Sequence, residues 1–305
     1  MTYPRGMSRS PYPAHPLTPY PPLIISAALT GMVARRDRAP HVPLSAEEIV
    51  TDAERCFEAG AGIVHLHARR PDGPPDWRRE AYAELIPEIR RRCPGIVVCA
   101  TTSGRGGASV DERADVLLLD GDARPDLASL TLGSVNFPSG PSVNDIDTIE
   151  ELARRIAERG IVPELEIFDL GMAHLAHRLE RRGLLPAVCP ANLLLGFPNG
   201  APADARSLCA LVDALPASVG PWHAAGFGAF QQPAGALAAA MGGHIRTGLE
   251  DNPYLDHVER DAATNAQLVE RAVLQARATG RVVADVAQAR RALELAAVVG
   301  PLATA

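Results

Sequence analysis

Apolar and polar positions follow two periods along the chain after residue 22. Eight short apolar runs, rich in β-branched residues, are typical of buried strands, and they span residues 23–29, 63–69, 96–102, 129–134, 163–168, 192–197, 221–227 and 244–250. Amphipathic segments with helical spacing lie between and after them, at about residues 45–59, 77–92, 109–118, 146–159, 170–183, 203–214, 233–242, 262–278 and 284–298. Strands that alternate with helices pair in parallel through right-handed crossovers. The pattern predicts an α/β fold, and its simplest closed form is a (β/α)8, or TIM, barrel.

The chain divides into an N-terminal arm and one domain. Residues 1–22 carry seven prolines and little apolar periodicity, so we expect them to be disordered or to lie along a partner surface. Residues 23–305 form the predicted barrel domain, with the last helical segment packed on its outside. An open, doubly wound sheet is the alternative, but no Gly-x-Gly-x-x-Gly motif follows the first strand.

The composition of the chain excludes several classes of protein and one type of catalysis. The 305 residues are 47% hydrophobic with a net charge of −6. No apolar run could span a membrane, no signal core is present, and no basic patch indicates nucleic acid. Five cysteines without a Cys-x-x-Cys pair fit reduced thiols in the cytoplasm. All 30 basic residues are arginine, so a lysine Schiff base is excluded, and carbonyl chemistry must use a metal or positioned donors.

Two histidines alternate at the end of the second predicted strand. His65 and His67 point to one face of that strand and could share a metal ion, although the spacing alone equally allows two unrelated histidines. In a barrel, polar residues at strand ends gather at one site. Glu250, at the end of the eighth strand, is the natural third ligand, and its alternative role is an ion pair with Arg246 on the same strand face.

Other strand ends carry polar side chains with two interpretations each. Asp251 could be a general base beside the metal or a helix cap. Glu166, inside an apolar strand, could bind a substrate hydroxyl or anchor a metal-ligand histidine. Residues 101–104 could bind a carboxylate or form an ordinary turn. Polar side chains on the fourth strand alternate as well, at Ser129 and Thr131.

These residues lie in spaced blocks that together resemble the β-keto acid cleavage enzymes, a family that includes 3-keto-5-aminohexanoate cleavage enzyme. The resemblance runs from about residue 23 to residue 295. Its main blocks are Gly62-Ile63-Val64-His65-Leu66-His67-x-Arg69, Thr101-Thr102-x-Gly104, Pro163-Glu164-Leu165-Glu166-Ile167-Phe168-Asp169, Gly242-Gly243-His244-Ile245-Arg246-x-Gly248-Leu249-Glu250-Asp251-Asn252 and Asn265-x-x-Leu268-Val269.

The resemblance implies a barrel enzyme with Zn²⁺, or another divalent transition metal. Such an enzyme converts a β-keto acid and acetyl-CoA to acetoacetate and a new acyl-CoA, and it is a homo-oligomer, expected here as a tetramer. The implied metal ligands are the residues matching the family's, which are His65, His67 and Glu250. The implied proton-removing dyad is Arg246 with Asp251. The residues matching Thr101, Ser129 and Glu166 line the substrate site in that family, and we expect Glu166 to be catalytic together with the dyad. Further expected substrate contacts are Thr102, Gly104, Thr131 and Val33.

Departures from the family pattern concern the substrate. Val33 replaces the glutamate of members that act on an amino-substituted keto acid, so we expect a neutral or apolar substrate tail, because a buried ammonium there would lack a counter-ion. Arginines follow at 35, 36 and 38 and leave open a dicarboxylic substrate. Two rival functions also stay open: a zinc-dependent hydrolase or aldolase that needs no CoA, and a zinc-stabilised barrel that only binds a keto acid.

Overall fold

Eight parallel strands close into one barrel, in which each strand pairs with its neighbours in the chain and the first pairs with the last. The computed structural model describes residues 18, 20–70, 73–138 and 140–296. The barrel strands are β1 (Ile25–Ala28), β2 (Ile63–Leu66), β3 (Val97–Ala100), β4 (Leu127–Thr131), β5 (Val162–Ile167), β6 (Cys189–Leu195), β7 (Val219–Gly226) and β8 (His244–Thr247). The predicted TIM barrel is confirmed.

Helices follow the strands and cover the outside of the barrel. Most of them begin after a Ser, Thr or Asp whose side chain accepts a bond from a backbone N–H of the first turn, as Ser45 does from Glu48. They are α1 (Ala46–Ala59), α2 (Arg79–Arg92), α3 (Val110–Ala114), α4 (Ile146–Glu158), α5 (Leu170–Arg181), α6 (Ala205–Asp213), α7 (Gln231–Met241), α8 (Asn265–Ala278) and α9 (Val286–Ala292). Within the described ranges, none of them is long and apolar enough to cross a membrane.

The structure differs from the predicted elements at several ends. Strands β2 and β8 are shorter than predicted, because the chain turns into loops after Leu66 and after Thr247, before His67 and Glu250. Two hairpins were not predicted, Val135–Phe137 with Gly140–Ser142 and Tyr254–Asp256 with Asp261–Ala262. Most of the proline-rich arm, residues 1–17 and 19, lies outside the described residues, as does the predicted helix beyond residue 296.

The two ends of the barrel interior differ in polarity. At the amino ends of the strands, apolar side chains such as Ile63, Val97 and Leu127 pack against Ala289 and Leu293 at the C-terminal end of the described chain. These contacts pack α9 against the amino ends of β2, β3 and β4. Polar and charged side chains collect at the other end, where the strands finish, and the site lies there.

Candidate active site

Three ligand-type side chains meet at the carboxyl ends of β2 and β8. His65 lies in β2, His67 follows it, and Glu250 lies in the turn after β8. The Nε2 atoms of the two imidazoles are 3.1 Å apart, and Nε2 of His67 is 3.2 Å from Oε1 of Glu250. Oε2 of Glu250 is 3.8 Å from Nε2 of His65. The structure thus brings the sequence-predicted ligand set to one point.

A tight turn carries Glu250 and Asp251 to the site. β8 ends at Thr247, three residues before the predicted strand end. Gly248 follows with a φ of 145°, and a Cβ there would lie 2.1 Å from the carbonyl oxygen of Ala28, so the turn requires glycine. The N–H of Glu250 donates to that same carbonyl at 3.2 Å. The turn, rather than strand alternation, therefore lets both neighbouring carboxylates face the site.

Glu164 orients His65 from inside the barrel. Its buried Oε2 atom lies 3.0 Å from Nδ1 of His65 and accepts from Sγ of Cys99 at 3.2 Å. A proton on Nδ1 leaves Nε2 with a free lone pair, which is the form that binds a metal. Burial by itself would raise the pKa of Glu164, but the bond and charge of His65 lower it to about 2. The histidine-anchoring role considered for Glu166 therefore belongs to Glu164.

The donor set fits a divalent metal ion. Burial by itself would raise the pKa of Glu250, but His67, Arg246 and His65 hold it well below its ordinary range. Burial also lowers the pKa of His67, so both groups favour their metal-binding forms. The buried Oε2 atom of Glu250 has no hydrogen-bond partner among the described residues. Two imidazole nitrogens and one carboxylate oxygen are the protein donors of many catalytic zinc sites.

Arg246 and Asp251 form a buried ion pair beside these ligands. Nε of Arg246 is 3.0 Å from Oδ2 of Asp251, and its Nη2 is 3.1 Å from Oε1 of Glu250. Burial raises the pKa of Asp251, and Arg246 opposes this shift. No helix begins at Asp251, so it does not act as a helix cap. Its carboxylate lines the pocket next to His67 and Glu250, where a general base could reach a bound substrate.

A pocket of about 270 Å³ opens beside the ion pair. Its polar wall includes Thr101, Thr131 and Glu166, and Oγ1 of Thr131 donates to Oε2 of Glu166 at 2.5 Å. Val33 is one of the apolar lining residues and remains 49% exposed. The larger apolar side chains that line the pocket with it are those of Met32, Phe137, Phe168, Leu194, Phe197 and Phe227. The sequence did not predict this aromatic wall, because its members come from separate segments of the chain.

Three residues expected to bind substrate lie behind the pocket wall. Oγ1 of Thr102 donates to the carbonyl of Ser129 at 2.5 Å, and the N–H of Thr102 donates to Oγ of Ser129 at 3.2 Å. Both side chains are 1% exposed and join β3 to β4. A Cβ at Gly104 would lie 2.7 Å from the guanidinium of Arg113. The structure therefore gives these residues packing contacts and leaves Thr101 and Ser103 to face the pocket.

Two arginines also line the pocket, and sequence reasoning missed one of them. Arg38 comes from the loop after β1, where the sequence had offered three arginines. Arg105, from the loop after β3, stacks its guanidinium carbon 4.0 Å from the ring centre of Phe137. Partial burial lowers the pKa of Arg105. Its place directly after Gly104, at a strand end of a barrel, was the available signal.

Comparison with known proteins identifies a family and several relatives. The sequence model of the beta-keto acid cleavage enzyme family matches residues 22–295. A 3-oxoadipate:acetyl-CoA acetyltransferase from Cupriavidus necator is 39% identical over 90% of this chain and 95% of its own length. A 3-keto-5-aminohexanoate cleavage enzyme from Fusobacterium nucleatum is 37% identical over 90% of this chain and 98% of its own.

Solved structures support the fold. The apo structure of ObcA superposes with a TM-score of 0.75 at 22% sequence identity, and the match covers 84% of this chain and 66% of the ObcA chain. At this identity the likeness concerns the barrel only.

Proposed function

The chain belongs to the β-keto acid cleavage enzyme family, and from that premise we propose that it transfers CoA from acetyl-CoA to the acyl part of a β-keto acid. The products are acetoacetate and a new acyl-CoA. The observation that carries the proposal is the convergence of the ligand set His65, His67 and Glu250 with the Arg246–Asp251 ion pair on one pocket. The acetyl-CoA acetyltransferase named above, which matches along nearly its whole length, supports the same reaction class.

In this proposal His65, His67 and Glu250 hold a Zn²⁺ ion, and another divalent transition metal would suit the same donors. When bound, the ion would polarise the keto oxygen of the substrate as a Lewis acid. Glu164 keeps His65 in the required tautomer through its contact with Nδ1. Arg246 compensates the charge of Glu250 and Asp251, so the buried site carries paired rather than isolated carboxylates.

Asp251 then acts as the general base. Its carboxylate takes a proton from the carbon between the keto and carboxyl groups of the substrate, while Arg246 holds the carboxylate in place and stabilises the developing negative charge. The carbanion attacks the acetyl carbonyl and releases the CoA thiolate. The thiolate adds to the keto carbon, the carbon–carbon bond next to it breaks, and Asp251 returns its proton to the acetoacetate that leaves.

The pocket favours a substrate whose far end is anionic. Val33 offers no counter-ion to an ammonium, as the sequence indicated, but two guanidinium groups, those of Arg38 and Arg105, line the same pocket. A second carboxylate would gain charge-assisted hydrogen bonds from them, whereas a neutral tail would leave them without that gain. Of the two tails left open by the sequence, we therefore favour the dicarboxylic one.

A panel of β-keto acids, each with and without acetyl-CoA, tests the proposal. We expect acetoacetate and an acyl-CoA to form only when acetyl-CoA is present. Consumption of the keto acid without acetyl-CoA would instead support the hydrolase or aldolase function, and binding without turnover would support the non-catalytic one. The homotetramer and the cytoplasmic location stay predictions, and light scattering at micromolar concentration checks the first.

A further inference from the structure

The peptide unit between Gly248 and Leu249 is held on both sides by buried side-chain amides. Oδ1 of Asn265 accepts from the N–H of Leu249 at 2.7 Å, and Nε2 of Gln231 donates to the carbonyl of Gly248 at 3.0 Å. Asn265 is 0% exposed and Gln231 is 3% exposed. They are the first residues of α8 and α7, so two separate helices fix the plane of one peptide.

This peptide determines where the next two residues go. The carbonyl of Gly248 also accepts from the N–H of Asp251 at 3.2 Å and from that of Asn252 at 3.0 Å. Rotation of the peptide would break these bonds as well as those to the two amides. The turn that presents Glu250 and Asp251 to the pocket therefore depends on the orientation of this single plane.

Asn265 can adopt only one amide orientation in its pocket. Nδ2 donates to the carbonyl of Leu29 at 2.9 Å and to Oδ2 of Asp52 at 2.6 Å, while Oδ1 meets an N–H. If the amide were flipped, its oxygen would face the two acceptors on Leu29 and Asp52, and its NH₂ group would face the N–H of Leu249. No hydrogen bond would then form at either end. Asp52, on α1, thus fixes the amide that fixes the turn.

The same amide reaches the second ligand segment. The N–H of Leu29 donates to the carbonyl of His65 at 3.3 Å, and the carbonyl of Leu29 accepts from Asn265. Asn265 therefore makes one hydrogen bond to Leu249, which precedes Glu250, and another to Leu29, whose N–H donates to His65. None of this involves the pocket, which Asn265 does not line.

We propose that Asn265 and Gln231 are positioning residues that hold the Gly248–Leu249 peptide so that Glu250 reaches the metal site beside His65 and His67, and Asp251 reaches the substrate. The inference rests on the metal site of the proposed function, but not on the reaction. It also gives a role to the Asn265 block of the sequence, which the catalytic scheme left unused.

Asn265→Leu tests the proposal, because leucine has nearly the same volume and forms none of the three bonds. Zn²⁺ affinity, measured by competition with a chelator, should fall by about 10–100-fold, the usual effect of losing a group that supports a ligand. Amide hydrogen exchange at Leu249 in the metal-free protein should rise in parallel. Asp52→Asn, whose carbonyl oxygen can still accept from Asn265, is the conservative variant and should keep near-normal values in both measurements.

Gln231→Leu approaches the same peptide from the other side and covers the case in which Asn265→Leu does not fold. It should also weaken Zn²⁺ binding and raise exchange at Leu249. Wild-type affinity and exchange in a folded Asn265→Leu or Gln231→Leu protein would overturn the proposal. Neither measurement uses a substrate, so normal Zn²⁺ binding by the wild type without keto acid turnover would refute the proposed reaction and leave this inference standing.

Discussion

Nδ1 of His65 and Oε2 of Glu164 lie 3.0 Å apart across the interior of the barrel, and both side chains are buried. Strands β2 and β5 are not neighbours, so this contact ties together two sides of the barrel. It also places a negative charge behind the imidazole that faces the ligand site. Such a carboxylate fixes the ring and raises the basicity of its other nitrogen.

Glu164→Gln should therefore weaken Zn²⁺ binding without removing it. We expect a loss of affinity of about 10–100-fold in chelator competition, because the glutamine neither carries the charge nor reliably selects the tautomer. Glu166→Gln is the matched control on the same strand and should stay near the wild-type affinity. His67→Ala removes a donor and should lose the ion. Equal affinities of Glu164→Gln and the wild type would contradict the role given to Glu164.

Asp251→Asn should stop proton removal while the site keeps its metal. The amide has the same shape but is not a base, so turnover should fall by roughly 10²–10⁴-fold, the usual contribution of general base catalysis. Metal content, measured on the same sample, should be unchanged. Near-normal turnover would show that another group removes the proton.

The sequence identifies which face a strand residue occupies but not its height in the barrel. Glu164 and Glu166 lie on one face of β5, two residues apart, and sequence reasoning gave the second of them both roles. The height follows from the stagger between strands: Glu164 pairs with Ser129 and Glu166 with Thr131, one step nearer the pocket. The deeper carboxylate therefore reaches His65, and the upper one reaches the pocket.

Loops limited the prediction further. His65 and His67 follow from strand alternation, and Glu250 from its place at a strand end. Arg105 also comes after a strand end, but the direction of its side chain depends on the path of the loop and on stacking with Phe137, which lies in an unpredicted hairpin. Loop geometry is set by contacts between distant segments, and local periodicity does not encode it.

Asp52 makes the stability of the protein depend on pH. Burial raises the pKa of its carboxyl from 3.8 to about 6, and the bond from Asn265 only partly opposes this. The folded state therefore binds the proton more tightly than the unfolded state. The proton on Asp52 therefore stabilises the folded state fully below about pH 4. This stabilisation is lost as the pH rises through about 6.

Asp52→Asn should remove this dependence. The free energy of unfolding of the variant should equal that of the wild type at pH 4 and should exceed it by about 3 kcal/mol above pH 6. Urea unfolding of both proteins at several pH values measures the difference. Asp37→Asn, at a side chain that is 68% exposed, is the control and should show no such trend. A difference that stays constant with pH would argue against a buried, titrating Asp52.

The charge of the substrate tail can be determined from kcat/KM values of one arginine variant and the wild type with three substrates. Arg105→Met keeps an unbranched, mostly apolar side chain but removes the guanidinium group, and with it the charge, the donors and the stacking on Phe137. If the tail is a carboxylate, the loss of a charged hydrogen bond of about 1.5–3 kcal/mol should lower kcat/KM for 3-oxoadipate by roughly 10–100-fold. The value for 3-oxohexanoate, which has a neutral tail, should hardly change. Arg35→Met is the matched control, because that side chain is 80% exposed and does not line the pocket.

The order of the three substrates in the wild type completes the test. We expect 3-oxoadipate to exceed 3-oxohexanoate, and 3-keto-5-aminohexanoate to be the poorest, since its ammonium would meet Val33 and two guanidinium groups instead of a carboxylate. Val33→Glu should then raise the value for the amino substrate and lower that for 3-oxoadipate, because it reverses the local charge. If 3-oxohexanoate is best and Arg105→Met leaves it unchanged, Val33 alone sets the preference and the tail is neutral. If the amino substrate is best with Val33 in place, neither Val33 nor the arginines select the tail.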